Sequence, residues 1–363
     1  MQEHVYNFAL NALDLGHTVR VITSNIKVLS DDPHFSDRVP VERLGVGVPI
    51  HQNGSVARIT IAPRLGKRLE EILARERFDV LHIHSPLTPT LPILSLTRST
   101  TTTVGTFHTN FNGSPFFTVF NAMCQKYLER LDGLIAVSKT AIGALDRYFK
   151  AEYRIIPNGI DLSLFRPDIG RLPEFDDGRF NLLWVGRMEP RNGLDRMIKA
   201  FSLACASRDD LRLIAVGDGP LRATYESMVP SRLKPIVHFT GFVNSGRPAI
   251  YSSCDALCVP ATISSFGITL LEGMAAAKPI IASNIDGFSD VMTADVEGLF
   301  VDTSEPAAFR DAILRLASDR ELSSKLGLAG LKTAQRYAWR NVTCEILDYY
   351  RVAMERHKLR HAN

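Results

Sequence analysis

The chain has 363 residues, with 42 Lys and Arg against 39 Asp and Glu and a formal charge of +3 at pH 7. That length exceeds what one ordinary core carries, so two domains of roughly 150 to 180 residues are expected. The near balance of charge argues against nucleic acid as a partner.

The chain opens directly in a helical pattern, QEHVYNFALNALDLGH at 2–17, with no strand before it. Strands are predicted at 19–23, 57–61, 79–84, 102–109, 132–138 and 153–158, separated by helical patterns. One such pattern, 64–77, places apolar residues at Leu65, Leu69, Ile72 and Leu73, and 121–130 has a similar period. A stretch from Pro157 to Gly178, rich in Pro, Gly and Asp, then breaks the alternation. A second series follows, with strands predicted at 181–186, 211–219, 236–241, 255–261, 279–283 and 298–302, and a helical pattern ends the chain.

Short Val, Ile and Leu runs, apolar on both faces and alternating with helices, define an α/β chain of two doubly wound Rossmann-like domains. The predicted division is 1–160 for the first domain, 161–178 for the linker and 179–339 for the second domain. Ligands of such folds bind at the carboxyl ends of the strands, here in a cleft between the domains. Doubly wound sheets normally place their first strand at the centre, and this chain begins after the place where that strand belongs. The first strand of the N-terminal domain is therefore expected to be missing, with about 20 residues preceding Met1 in the biological chain.

Cys124, Cys205, Cys254, Cys258 and Cys344 are scattered without metal-ligand spacing. They are predicted to be buried thiols of a reducing cytosol, with no disulfide framework and no zinc site. No apolar run approaches the roughly 20 residues needed to span a bilayer.

The most informative stretch is CVPATISSFGITLLEGMAAAKP at 258–279, in which an apolar strand leads through small residues into a helix opening at Gly267. Amides of Ser265, Phe266, Gly267, Ile268 and Thr269, with the positive end of the helix dipole, suit a phosphate, and Glu272 could reach a sugar hydroxyl. An ordinary strand-turn-helix fits the same local pattern equally well. Arg187 ends a strand in VGRMEPRNG, with Arg191 close by, and could clamp a diphosphate; a surface arginine paired with Glu189 is the competing reading.

Taken together, VGRMEPRNG, SSFGITLLEGMAAAKP, the linker IPNGIDLSLF, AVSKTA and the final YAWRNVTCEILDYY resemble the retaining family 4 glycosyltransferases, of GT-B architecture, over essentially the whole chain. In that family the final helix, here 340–363, crosses back to complete the first domain. QNGSVARI at 52–59, FDVLHIHSP at 78–86 and GTFHTN at 105–110 are most similar to the bacterial phosphatidyl-myo-inositol mannosyltransferases.

The resemblance implies His108, Arg187 and Glu272 as catalytic residues. His108 would lie beside sugar and acceptor, and Asn53, Ser55 and Arg58 would belong to the acceptor side; His82 and His84 are left open. Glu272 would hold the ribose hydroxyls. Arg187, Arg191 and the 265–269 segment would neutralise the departing diphosphate without a metal, consistent with the lack of a D-x-D pair. No cofactor is implied beyond the nucleotide-sugar donor, GDP-mannose or else a UDP-sugar. The implied acceptor is a phosphatidylinositol-like lipid or a small polyol. The expected location is the cytoplasm, peripheral on the inner face of the cell membrane if Arg64, Lys67, Arg68 and the apolar 113–120 segment meet anionic lipid; a solvated basic helix and a loop packing into the core fit these features equally well.

Two departures from the family stand out. Ser264 occupies the position of the first of two glutamates eight apart, and Asn192 that of a lysine. Both weaken charge at the donor, and they define the alternative reading, a catalytically weak binding or regulatory protein on the same fold.

Overall fold

The structure is a computed structural model that describes residues 1–25, 38–52, 55–108, 111, 113–243 and 246–362. The chain divides into two compact units, one of 1–159 with the segment from Trp339 onward, the other Ile160–Ala338.

In the first unit the strands are β1 (Val21–Asn25), β2 (Val41–Gln52), β3 (Ser55–Ile61), β4 (Val80–His84), β5 (Thr102–Phe107), β6 (Gly133–Ala136) and β7 (Arg154–Ile155). Helices α1 (Gln2–Asp14), α2 (Leu65–Glu76), α3 (Leu91–Arg98), α4 (Pro115–Val119), α5 (Asn121–Leu128) and α6 (Lys139–Asp146) intervene. The strands form two sheets, β1-β2-β3 and the parallel β4-β5-β6-β7. Sequence alternation predicts one continuous doubly wound sheet here. Instead β1 and β4 each have a single strand neighbour, and no described strand joins them.

Strand β2 is absent from the sequence-based expectation. It pairs in parallel with β1 over Val41 to Val46 and antiparallel with β3 from Val46↔Ile61 to Gln52↔Ser55. Gly45, Gly47 and Pro49 lower its strand propensity and hid it. Pro49 is tolerated because β1 reaches only as far as Val46, so β2 has one partner at that point. Gly45 sits at φ 61, and a Cβ there would lie 2.6 Å from the Ile61 carbonyl oxygen, so glycine is required where β2 meets the far end of β3. The Asn-Gly pair at 53–54 is the strongest short-range hairpin signal in this stretch, although Asn53 itself lies outside the described residues.

The second unit contains β8 (Phe180–Val185), β9 (Leu211–Val216), β10 (Val237–Gly241), β11 (Ala256–Val259), β12 (Ile280–Ser283) and β13 (Gly298–Val301). Its helices are α7 (Leu194–Ala204), α8 (Arg222–Met228), α9 (Arg247–Ser253), α10 (Ile268–Ala275), α11 (Asp286–Ser289), α12 (Pro306–Ser318) and α13 (Arg320–Ala334), after which α14 (Trp339–His361) returns to the first unit. All six strands are parallel, in the order β10-β9-β8-β11-β12-β13. The order reverses direction between β8 and β11, and that switch point is where an open α/β sheet leaves a crevice at its carboxyl edge. β9, β11 and β12 are buried throughout, and Trp184, Leu213, Ile281 and Phe309 anchor the core.

Residues of the predicted linker are bonded to the second unit. Arg171 forks onto Asp255 at 2.9 and 3.1 Å, and the Leu172 amide donates to Ser253 Oγ at 2.8 Å. In the first unit α14 lies on β5 and β6 beside α1, where Phe8, Val104, Ile135, Trp339 and Ile346 form one buried cluster.

Cys124, Cys254 and Cys258 are buried as expected, but Cys205 is half-buried and Cys344 is exposed on α14. A long helix with a narrow apolar stripe leaves such outward positions, which the surrounding pattern had obscured. Burial pushes the Cys254 thiol up to about 12, so it is inert. No helix among the described residues is long and apolar enough to cross a membrane.

The carboxyl edge of the second sheet depends on close backbone approach. Gly217 sits at φ 132, and a Cβ there would stand 1.9 Å from the Gly186 carbonyl oxygen. Relief by movement is blocked on both sides, since Gly186 N donates to Val216 O at 3.0 Å and Gly217 N to Gly241 O at 2.8 Å. Gly217→Ala is therefore expected to destabilise the protein by about 3 kcal/mol or more, read as a lower urea midpoint. An unchanged midpoint would show that the 186–217 crossing is not tight.

Candidate donor site and histidine cluster

Arg187 follows β8 with only Gly186 between, and the 260–267 loop follows β11, its neighbour in the sheet. The two loops are joined, because the Thr262 amide donates to the Arg191 carbonyl at 2.8 Å. Gly193, at φ 70, lies so close under Pro260 that a Cβ would come within 2.0 Å of the Pro260 carbonyl oxygen. The third rim segment, after β9, is tied in by Met188 N donating to Asp218 O at 2.9 Å. The arginine loop and the small-residue loop thus form one bonded edge at the topological switch point.

Within that edge Glu189 lies between the two arginines. Its carboxylate meets Arg187 Nε at 3.3 Å and Arg191 Nε at 3.2 Å, and it is 5% exposed whereas Arg187 is exposed. The surface pairing weighed against the diphosphate reading is therefore present, and it is shared. One carboxylate neutralises one of two guanidinium charges and fixes the aim of both, leaving the trio at net +1. Glu189 was legible in the sequence only as Arg187's competitor. Asn192 donates Nδ2 to the Arg187 carbonyl at 2.7 Å and bolts the strand end without adding charge.

Helix α10 begins at Gly267, φ 85, so the N-cap demands glycine. Helix geometry leaves the Ile268 and Thr269 amides without intrahelical acceptors, at the positive end of the dipole. Ser265, Gly267, Ile268 and Thr269 are all partly accessible. Phe266 differs: it is 3% exposed and packs on Tyr337 at 6.0 Å between centroids, so its backbone alone can face a ligand. Ser264 Oγ accepts from the Phe266 amide at 3.4 Å and shapes the loop.

Glu272 is 4% exposed. Tyr251 donates its hydroxyl proton to Oε2 at 2.5 Å, and Arg247 pairs with Oε1 at 3.2 Å. Arg247 and Tyr251 are four apart on α9 and share its face, with Phe165 stacked edge-on to Tyr251 and lying under Arg247. Burial and the neighbouring carboxylate hold Tyr251 well above the ordinary phenol range, so it stays a donor. Neither residue stands out in the sequence; the four-residue spacing is the one signal available. Tyr251→Phe removes a hydrogen bond to a buried charge and is expected to cost about 1.5 to 3 kcal/mol, measured by thermal unfolding against Phe165→Leu. A melt equal to that of the unaltered protein would mean the 2.5 Å contact carries no net weight.

In the first unit His84 ends β4 and His108 immediately follows β5, the adjacent parallel strand. His84 Nδ1 lies 2.9 Å from His108 Nε2, and the rings stack at 5.2 Å. His4 on α1, 4% exposed, closes on both at 5.3 and 4.7 Å between centroids. His82 is fully partnered, with Nδ1 2.8 Å from Tyr350 Oη and Nε2 2.6 Å from Thr106 Oγ1, so the structure gives it a packing role. Burial lowers His4 to about 4 and His82 to about 3, and burial with mutual repulsion holds His84 and His108 well below their usual range. All four are neutral at pH 7. His4 was not anticipated, because in sequence it is one polar residue in an amphipathic helix.

Ser55 opens β3 and Arg58 is exposed on it, opposite Pro49. Arg64 caps α2, and Lys67 and Arg68 are exposed on its outer face while Leu65, Leu69 and Ile72 are buried.

Two parallel sheets flanked by helices, with a glycine-capped helix and paired arginines at the second sheet's switch point, fit the class of GT-B glycosyltransferases. The chain belongs to the family 4 glycosyltransferases. The family described as Glycosyltransferase Family 4 matches residues 1–164, and Glycosyl transferases group 1 matches 166–333. Phosphatidyl-myo-inositol mannosyltransferase of Mycobacterium leprae is 31% identical, over 94% of this chain and 91% of its own length. The protein of the same name from Propionibacterium freudenreichii is 29% identical, over 97% and 91%. Among solved structures, a glycosyltransferase from Rickettsia africae aligns with TM-score 0.77 at 17% identity, covering 97% of this chain and 94% of that one. HepE of Anabaena, solved with UDP and glucose, aligns with TM-score 0.74 at 18% identity, covering 96% and 95%.

Proposed function

We propose that this enzyme transfers mannose from GDP-mannose, with retention and without a metal, to a phosphatidylinositol-like lipid. The observation that carries the reading is the bonded edge of the second unit, where Arg187, Arg191 and the α10 N-terminus converge beside a buried, pre-aimed Glu272. Similarity to mannosyltransferases named for phosphatidyl-myo-inositol supports the sugar and the acceptor.

In the reaction the bond between the anomeric carbon and the diphosphate oxygen breaks first. Negative charge gathers on the diphosphate, where the two guanidinium groups and the helix amides neutralise it. The anomeric carbon gains positive character, the acceptor hydroxyl oxygen adds from the same face, and its proton passes to the departing phosphate oxygen. Glu272 accepts from the ribose hydroxyls. His108, neutral and at a strand end, serves the sugar and acceptor, with Asn53, Ser55 and Arg58 on the acceptor side.

Membrane docking by the first unit follows from the same lipid acceptor. Arg64, Lys67 and Arg68 line the exposed face of α2, while Val119, Phe120 and Met123 are 73%, 44% and 39% exposed around α4 and α5. Helices α2, α3, α5 and α4 pack in succession, which makes the basic and apolar groups parts of one helical layer. The location that fits is the cytoplasmic face of the membrane.

The test is transfer of labelled mannose from GDP-mannose to phosphatidylinositol vesicles, with UDP-glucose and free inositol as controls, beside calorimetry of GDP against UDP. Mannolipid formation with GDP preferred supports the proposal. Tight UDP binding with glucose transfer overturns the donor assignment. Nucleotide binding without turnover for any pair would favour the alternative that Ser264 and Asn192 motivate, a binding protein on this fold.

A further inference from the structure

We propose that His4, His84 and His108 form a binding site for a borderline transition-metal ion, Zn2+ above all, within the first unit. Each offers one ring nitrogen, and these three atoms all lie within 4.8 Å of one another.

The hydrogen bonding prepares the cluster for an ion. His4 Nδ1 lies 2.9 Å from Asn158 Oδ1, an atom that can only accept, so Nδ1 carries the proton and Nε2 holds a lone pair. That Nε2 is buried and has no hydrogen-bond partner. An orphaned acceptor in a ring that is 4% exposed costs free energy that a metal ion would recover. Asn158 then acts as the second-shell group that fixes the ligand's tautomer. His84 and His108 share one proton across 2.9 Å, and an ion can take its place.

Ligation at about 2.0 to 2.1 Å in tetrahedral geometry sets nitrogen spacings of about 3.3 Å. The 2.9 Å pair must open by a few tenths, and the widest spacing allowed by the 4.8 Å limit must close by up to about 1.5 Å. Small ring rotations accomplish both. His82 contributes no ligand, since both its nitrogens are engaged; stacked on His84 at 4.5 Å, it supports the ring from behind.

Two further features favour the ion. His84 and His108 are partly accessible, which leaves a route from solvent. A ligand set of imidazoles without carboxylate or thiolate selects Zn2+, Co2+ or Cu2+ over Mg2+. Site and test are independent of the proposed reaction. The consequence alone rests on it: that reaction uses no metal, and an ion here would occupy His108 in competition with it.

The test is equilibrium dialysis of the tag-free full chain with Zn2+ and with Mg2+, together with the visible spectrum of the Co2+ form. One equivalent of Zn2+, no Mg2+, and Co2+ bands of tetrahedral nitrogen ligation without thiolate charge transfer are expected. His4→Gln should weaken Zn2+ by about 30-fold or more. His361→Ala, which disrupts the competing surface pair with His357 and its neighbour Asp132, should leave binding unchanged. Binding that survives His4→Gln and disappears in His361→Ala overturns the proposal, as does the lack of stoichiometric Zn2+. Should His4→Gln not fold, X-ray absorption of the unaltered Zn2+ form decides: three imidazole nitrogens near about 2.0 Å support the site, and a sulfur shell or fewer imidazoles refutes it.

Discussion

Glu272→Gln is expected to weaken the preferred nucleoside diphosphate by about 10- to 100-fold, the equivalent of about 1.5 to 3 kcal/mol for hydrogen bonds to a charged acceptor. The substitution keeps shape and one acceptor oxygen while removing the charge that two hydroxyl donors would share. Glu272→Ala is the harsher change. It removes the buried carboxylate that Arg247 and Tyr251 share, and loss of one partner from such a pair costs up to about 3 to 5 kcal/mol of stability. The glutamine variant is thus the instrument for binding and the alanine variant for stability. Calorimetry with the matching 2′,3′-dideoxy diphosphate isolates the ribose contribution: the unaltered enzyme should lose affinity for it, and the glutamine variant should bind it no worse than the unaltered enzyme does. If Glu272→Gln discriminates ribose from dideoxyribose as well as the unaltered protein, Glu272 does not hold the sugar hydroxyls.

The parts of this fold legible in the sequence are those where one physical signal acts alone. The six parallel strands of the second unit appear as short Val, Ile and Leu runs because both faces are covered by helices. β2 was illegible because two glycines and a proline carry a hairpin whose stability comes from pairing with β1 and β3, information that is not local. The split into β1-β2-β3 and β4-β5-β6-β7 is a matter of pairing that no residue announces.

At the donor edge, Arg187 and Gly267 were visible because a strand end followed by a helix start has a composition of its own. Glu189 was visible only as a competitor, although it aims both arginines. Tyr251 and Arg247 were invisible, since their partner lies more than twenty residues away on another helix. The same holds for His4, drawn to His84 and His108 by tertiary packing alone.

The histidine cluster also predicts an acid-sensitive stability. Each folded-state histidine is depressed below its unfolded value near 6.5, with His4 at about 4 and His82 at about 3. Between those values the unfolded chain binds protons that the folded chain refuses, so the histidines' contribution to stability is full above about pH 6.5 and falls as pH drops toward 4. His4 alone is worth up to about 3 kcal/mol across this window. Asp177, Asp210 and Asp302 have lowered values, so their contribution is lost below the ordinary carboxylate range. That separates the two effects on the pH axis. Urea unfolding at pH 7.5, 5.5 and 4.5, followed by fluorescence of Trp339 packed 4.9 Å from the His4 ring, should show the midpoint falling steadily through the histidine range. His4→Gln should flatten that slope, because glutamine does not titrate. A midpoint that holds level to pH 4.5 and then drops with the carboxylates would mean the histidines are already solvated and protonate without cost.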